Sequence, residues 1–325
     1  MERSGKTAVN LHQPAELLAA VRARNPRAIG RAISLVEDGA PAAEALLDLL
    51  DREALPAVVT VGITGPGGAG KSTLTQQLIG HYRGLGRRVG VVAIDPSSPI
   101  SGGALLGDRI RMMRHATDGE VVVRSMATRG RIGGLCASAG AAVRLMAYAG
   151  CDPVIIETVG VGQAEIDVVR LADLTLLVMA PGLGDDIQAM KAGLVELADV
   201  LVVNKCDNPG AEALAMDMEQ VARERDRLLR RTCATEGRGI AELAEGLETA
   251  LAKSSESGEL ARRRQRSREA EVLDWALEMM RPRLSSLLRD NGPVRGDPRL
   301  AARNLLERLC RSAADLSNGI SKEST

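Results

Sequence analysis

The stretch Gly65-Pro66-Gly67-Gly68-Ala69-Gly70-Lys71-Ser72-Thr73 follows directly on the apolar run Val58–Ile63 and carries the spacing Gly-x-x-x-x-Gly-Lys-[Ser/Thr]. Few sequence features restrict a chain so strongly. A glycine-rich turn leading from a strand into a helix aims successive backbone N–H groups, and the positive end of the helix, at one small volume suited to phosphate. In that arrangement Lys71 reaches the β and γ oxygens of a nucleoside triphosphate and Ser72 offers its hydroxyl to Mg²⁺. Gly67, Gly68, Ala69, Gly70 and Thr73 complete the cradle. The alternative, a strand-to-helix turn that binds nothing, has to produce the same pattern by chance.

The periodicity supplies the sheet that such a loop needs. Short apolar runs at Val58–Ile63, Val89–Ile94, Val121–Val123, Val154–Ile156, Leu174–Met179 and Val200–Val203 alternate with helical stretches at Lys71–Arg83, Leu135–Ala149, Met190–Leu197, Ala211–Leu229 and Ile240–Ala252. Near-continuous apolar strands separated by helices imply a mostly parallel, doubly wound α/β sheet covered on both faces. Upstream, residues 15–55 show helical spacing broken at Asn25-Pro26 and Gly39-Ala40-Pro41, an N-terminal helical arm. Downstream, Ser254–Gly258 reads as a linker, followed by a helix over Glu259–Met280 ending before Pro282 and an amphipathic helix over Leu300–Leu316. The expected organisation is therefore an arm over 1–55, a P-loop domain over 56–253 and a helical extension over 254–325. Two helices make little core alone, so the extension is expected to pack on a second copy of the chain, with packing back on the sheet domain as the alternative. The basic run Arg262–Arg268 reads as a solvated helix face, with an anionic partner as the alternative.

Ligands in an open α/β sheet lie outside the carboxyl ends of the strands, and polar residues follow several of the apolar runs. Asn204-Lys205-Cys206-Asp207 follows Val200–Val203. A carboxylate at Asp207 accepts from both the ring N–H and the exocyclic amine of guanine, whereas adenine offers no such pair of donors, so guanine is the expected base. Thr232-Cys233-Ala234, ahead of Gly237-Arg238-Gly239, is placed to close over that base. Glu157, after Val154–Ile156, can hold Mg²⁺ directly or through water, or order the attacking water, and Gly160 can turn its N–H toward a γ-phosphate. Asp95 and Asp108 add two carboxylates, of which one is expected to be a Mg²⁺ ligand. Gly182–Lys191 reads as a further mobile loop, with a solvated turn between helix and strand as the alternative.

Composition excludes several classes. With 42 basic and 42 acidic residues the chain has no net charge, which argues against a nucleic-acid or anionic-membrane binder. Phenylalanine is absent and only Trp275, Tyr82 and Tyr148 are aromatic, so base-stacking platforms are nearly excluded. Five scattered cysteines with no Cys-x-x-Cys pair, three histidines, no apolar stretch long enough to span a bilayer and no signal-peptide order at residues 1–20 point to a cytoplasmic protein without a structural zinc.

Longer segments carry a family resemblance. Val89–Pro99 with Asp95, Ser101–Met112 with Asp108, Thr128–Leu135, Ile156–Glu165 and Gly184–Gly193 resemble the MeaB/ArgK-type guanosine triphosphatases, a group related to signal-recognition-particle and nickel-insertion GTPases, and the match spans nearly the whole chain. The resemblance implies a GTPase chaperone for an adenosylcobalamin-dependent acyl-CoA mutase, most often methylmalonyl-CoA mutase, gating cofactor delivery and protecting or rescuing the mutase. It implies that Gln188 and Lys191 lie in a loop through which the mutase accelerates hydrolysis, with Asp108 in the first sensing loop and Glu157 beside Mg²⁺. It also implies a homodimer formed through the C-terminal helices.

The chain departs from that family at three points. Cys206 stands where alanine is usual and Cys233 where serine is usual. Only 24 residues separate Asp207 from Thr232, so the strand after the guanine loop is expected to be curtailed at Arg227–Arg231. Two other functions compete: a metal-insertion GTPase of the nickel-delivery type, which calls for Cys/His ligands near the nucleotide, and an ATP-dependent kinase of a transport protein, which calls for adenine selectivity.

Overall fold

Alternating apolar side chains on strands covered from both sides produce the central feature, a seven-stranded sheet in which every recorded pairing is parallel. The structure, a computed structural model, describes residues 13–95, 117–127, 134–158, 164–183, 193–290 and 294–320. In chain order the sheet is built from β1 (Thr60–Thr64), β2 (Val89–Asp95), β3 (Val121–Ala127), β4 (Val154–Thr158), β5 (Leu174–Met179), β6 (Val200–Val203) and β7 (Leu228–Arg231). Their spatial order is β3-β2-β4-β1-β5-β6-β7, which puts β1 in the middle, with Val61 opposite Ile155 on one side and Leu174 on the other. The chain winds toward β3 from β1 and later toward β7, so the crevice at the carboxyl end of β1 is the topological switch point where ligands bind.

Three helices precede the sheet: α1 (Pro14–Arg22), α2 (Pro26–Glu37) and α3 (Pro41–Asp51), each with proline at its start. Asn25 caps α2, its side-chain oxygen accepting from the N–H groups of Arg27 at 3.0 Å and Ala28 at 3.2 Å. Leu17, Val21, Ile29, Ile33, Leu46 and Leu50 are fully buried in this arm. The Arg124–Glu37 ion pair ties α2 to β3.

Within the sheet domain follow α4 (Lys71–Gly84), α5 (Gly134–Tyr148), α6 (Ala164–Leu171), α7 (Leu194–Leu197), α8 (Ala211–Glu224) and α9 (Ile240–Glu256). The strands divide their side chains between two cores. Leu174, Leu176 and Val178 of β5, with Val200 and Val202 of β6, join Leu74 and Leu78 of α4 and Leu243 and Leu247 of α9. Leu177 and Met179, with Leu201 and Val203, join Val195, Leu214 and Met218 on the opposite face. This period of two is what a sheet covered by helices on both sides requires. The core is almost wholly aliphatic, with Tyr82 its buried aromatic.

Four readings of the sequence change. The helix expected over Ala211–Leu229 stops at Glu224, because Asp226 adopts φ 52° and reverses the chain, and Leu228–Arg231 then pairs in parallel with β6. That four-residue strand is the curtailed one anticipated from the short spacing. Ser254–Gly258 is not an open linker: α9 is helical through Glu256, and α10 (Glu259–Asp290) starts after Ser257 and Gly258. Pro282 does not end α10; it forfeits one backbone hydrogen bond inside a helix long enough to carry the loss. Within Arg262–Arg268 the solvated face is only part of the account. Arg263 binds Asp199 through both terminal nitrogens, and Arg264 binds Asp173 at 2.7 and 2.8 Å.

The chain divides into two compact units between Glu269 and Ala270. The second contains the rest of α10 and α11 (Pro298–Ile320), and Val272, Leu273, Leu277, Met279 and Leu300 are exposed on its helices. No helix among the described residues is long and apolar enough to cross a membrane.

Candidate active site

The loop between β1 and α4 has the backbone that its glycines permit. Gly65, Gly68 and Gly70 take φ 140°, 77° and 90°, a region closed to most side chains. A Cβ on Gly65 would stand 2.1 Å from the carbonyl oxygen of Val178, and one on Gly70 would stand 2.5 Å from Nδ2 of Asn204. The phosphate loop is thus pressed against β5 on one side and against the base loop on the other. Ala69 is buried, and Ser72 and Thr73 lie half-buried in the first turn of α4, where unpaired N–H groups point outward. Lys71 is buried, its Nζ donating to the carbonyls of Gly65 at 2.7 Å and Pro66 at 3.0 Å.

Glu157, near the carboxyl end of β4, is completely buried and accepts a short hydrogen bond from the hydroxyl of Thr75. Thr75 lies one helical turn beyond Lys71, so the two residues share a face of α4 and bring Glu157 under the phosphate loop. Sequence reasoning passed over Thr75; its spacing of four from Lys71 was the available signal.

Asn204 ties together the loops after β1, β6 and β7. Its Nδ2 donates to the carbonyl of Ala69 at 2.9 Å, while its Oδ1 accepts from the Thr232 hydroxyl at 3.0 Å and the Ala234 N–H at 3.1 Å. Three segments distant in sequence meet on one amide. Lys205 follows with φ 55°, the turn that lets Asp207 emerge exposed at the surface. The buried Cys233 thiol donates to Oδ1 of Asp207 at 3.0 Å, and the same thiol lies 3.3 Å from the Thr235 hydroxyl. That thiol bond, first, and a backbone bond of Asp207 itself hold the Asp207 carboxyl below the usual carboxylate range, with Arg238 and Lys205 adding to the effect against desolvation. Arg238 is fixed by a backbone bridge to Cys233, donating its N–H to the Cys233 carbonyl at 3.2 Å and accepting from the Cys233 N–H at 3.0 Å.

A carboxylate at Asp207, a phosphate cradle at Gly65–Thr73 and a buried carboxylate at Glu157 together suit a guanine nucleotide. The family described as methylmalonyl Co-A mutase-associated GTPase MeaB matches residues 29–291. The chain belongs to this family. A putative GTPase of Pyrococcus horikoshii is 46% identical over 266 residues, 79% of this chain and 84% of that protein. GTPase ArgK of Escherichia coli is 35% identical over 277 residues, 80% of this chain and 82% of that one. The mouse mitochondrial methylmalonic aciduria type A homolog is 35% identical over 226 residues, 66% of this chain and 54% of that one. Among solved structures, a LAO/AO transport system kinase matches with a TM-score of 0.65 at 27% sequence identity, over 93% of this chain and 99% of that one.

As a MeaB-family protein the chain is a GTP hydrolase, and it carries the P-loop GTPase fold. The described structure of this MeaB-family GTPase brings together Gly67, Gly68, Ala69, Gly70, Lys71, Ser72, Thr73, Asn204, Lys205, Asp207, Cys233 and Ala234 around the loops after β1, β6 and β7. Asp95 closes β2, at the same end of the sheet, although its side chain lies outside the described residues. Asp108, Gly160, Gln188 and Lys191 also lie outside them. Thr232, expected from the sequence to lie with Cys233 and Ala234 beside the base, hydrogen-bonds Asn204. Among the described residues, one set of possible metal-binding atoms lies within 4.8 Å of one another, on Asp207, Cys233 and Glu236. It contains no histidine, and the Cys233–Asp207 hydrogen bond accounts for its compactness.

Proposed function

We propose that this GTPase times the delivery of adenosylcobalamin to an acyl-CoA mutase such as methylmalonyl-CoA mutase, and protects or reactivates that enzyme. The observation that carries the reading is the MeaB match over residues 29–291, supported by the mouse relative whose name refers to methylmalonic aciduria. In this reading Asp207 accepts from the two guanine donors, and Lys205 lies along the base. Asn204, Cys233 and Ala234 hold the pocket in shape. Lys71 leaves the carbonyls of Gly65 and Pro66 for the β and γ oxygens, while the N–H groups of residues 67–73 bind phosphate and Gly160 turns toward the γ-phosphate.

The donors beneath the loop are hard oxygens, a half-buried hydroxyl on Ser72 and a buried carboxylate on Glu157, which is the donor chemistry that Mg²⁺ takes. They would hold the ion with Asp95 or Asp108, and when bound it neutralises charge developing on the phosphates. Gln188 and Lys191 respond to the mutase. The exposed apolar residues of α10 and α11 support pairing of two copies through residues 254–325, and the free cysteines Cys151, Cys206, Cys233 and Cys310 fit a reducing compartment such as the cytoplasm.

The test is GTP turnover with and without the cognate mutase. Addition of the mutase should raise turnover by about 10³-fold or more, within the range that partner proteins achieve in phosphoryl transfer. Lys191→Ala should keep GTP affinity and lose most of that rise. A turnover unchanged by every acyl-CoA mutase of the same organism would sink the proposal.

A further inference from the structure

Glu165 is a buried acid to which neither the nucleotide nor the partner reading gives a task. It sits in the first turn of α6, at 7% exposure, and its Oε1 is buried with no hydrogen-bond partner among the described residues. Such a group is costly unless something nearby uses its charge. The position of α6 says what that is. Val168 and Ala172 lie so close to Gly62 that a Cβ there would meet them at 2.8 and 2.9 Å, which seats α6 directly on β1. At the far end of the helix, the N–H of Asp173 donates to the carbonyl of Thr60, at the amino end of β1. The helix therefore runs antiparallel to the strand and delivers its first turn to the carboxyl end, where the phosphate loop begins. Burial pushes the Glu165 carboxyl up, and the charge of Lys71 opposes that shift. The acid and the lysine, each at 7% exposure, are thus both buried toward the carboxyl end of β1.

We propose that Glu165 is a positioning residue for Lys71, its buried carboxylate restricting where the ammonium can lie so that the lysine meets the β and γ oxygens in a single geometry. A lysine has a flexible four-carbon stem and gives little orientation by itself. A carboxylate at fixed depth narrows that freedom without touching the phosphates, which its own charge would repel. Because α6 lies downstream of Glu157 in the chain, a displacement of the helix moves the constraint on Lys71 as well. The proposal rests on the assignment of Lys71 to the phosphates, and the experiment separates the two.

Four proteins are compared, wild type, Glu165→Gln, Glu165→Asp and Lys71→Ala, by titration with GDP and by single-turnover GTP hydrolysis without mutase, after thermal melting shows that each folds. Glu165→Gln keeps the volume and removes the charge. It should slow hydrolysis about tenfold, a penalty typical of a displaced catalytic group, and change GDP affinity by less than about threefold. Glu165→Asp, which keeps the charge, should recover most of the rate. Wild-type hydrolysis in Glu165→Gln overturns the proposal, and so does equal slowing in Glu165→Gln and Glu165→Asp, the signature of packing alone. Lys71→Ala should lose tight nucleotide binding; undiminished binding there overturns the assignment of Lys71 itself, and the role of Glu165 with it.

Discussion

Nδ2 of Asn204 donates to the carbonyl oxygen of Ala69 at 2.9 Å, joining the loop proposed to bind the base to the loop proposed to bind the phosphates. With Oδ1 engaged by Thr232 and Ala234, the buried amide is occupied on both sides by protein. It braces the pocket. The loops after β1, β6 and β7 are thereby held together.

Asn204→Ala removes three hydrogen bonds at once and leaves the Ala69 carbonyl and the Ala234 N–H buried near Cys233 and Gly70. Urea unfolding should record a loss of about 1–3 kcal/mol, the usual penalty for orphaned buried groups. GDP titration should show weakening of base and phosphate affinity together. A variant of wild-type stability would mean that these bonds are replaced by solvent.

Asp207→Asn exchanges a carboxylate that only accepts for an amide that also donates. Guanine, with two donors on that edge, loses its match, whereas xanthine presents a carbonyl in place of the exocyclic amine and gains one. GDP affinity should fall at least ~100-fold, while xanthosine diphosphate should bind the variant better than it binds the wild type. Calorimetric titration with both diphosphates checks the reversal.

The Cys233 thiol gives this recognition a predictable pH limit. Since the Asp207 carboxyl is held below its ordinary value, chiefly by that thiol, its ionised form survives as pH falls through the usual carboxylate range, and guanine binding is lost only as pH passes the lowered value. In Cys233→Ala the loss should begin at higher pH, with Cys233→Ser close to wild type because a hydroxyl can donate in its place. GDP affinity measured from about pH 3.5 to pH 6 should separate the three curves if the protein stays folded, which circular dichroism monitors.

Arg264→Ala tests the opposite end of the sheet. Arg264 binds both oxygens of the buried Asp173 and also donates to the Val58 carbonyl at 3.0 Å, while Asp173 accepts from the Thr60 N–H at 2.9 Å. Removing the guanidinium leaves a buried carboxylate with a backbone partner and only Arg263, which hydrogen-bonds the Asp173 carbonyl, as a nearby positive charge. Because Arg264 is itself partly solvated, the expected loss is about 1–2 kcal/mol, less than for a fully buried pair. Intrinsic GTP hydrolysis per folded molecule should stay at the wild-type rate, since the pair sits at the amino end of β1 and β5, away from Lys71.

The elements that were legible before folding are those whose cause is local. Val89–Ile94, Leu174–Met179 and Val200–Val203 are strands because apolar, mostly β-branched or leucine runs of that length suit a sheet buried on both faces. The phosphate loop was legible because only glycine accepts φ 140° and 90° where it does. The end of α8 was not, since Leu228 and Leu229 continue a helical spacing, and the decisive reversal at Asp226 leaves no mark in composition. Ser254–Glu256 misled in the other direction: small polar residues resemble a linker, yet they carry a helix when flanked by one. Arg263 and Arg264 looked solvated because their partners, Asp199 and Asp173, lie 64 and 91 residues away.

From the chain alone came the proposed chemistry, a loop for phosphate and a carboxylate for guanine, together with a parallel sheet to carry them and a family resemblance now supported by the MeaB match. Residue type and short-range spacing suffice for those, because each rests on a backbone conformation or a hydrogen-bonding inventory that a few neighbouring residues define. The tertiary structure alone decided that Asn204 holds Ala69, that Thr75 holds Glu157 and that Glu165 is buried in the helix packed on β1. Such pairings arise where the neighbouring strands β4, β1, β5 and β6 end along one edge of the sheet, and the energy of a buried polar group depends on which partner the packing brings to it.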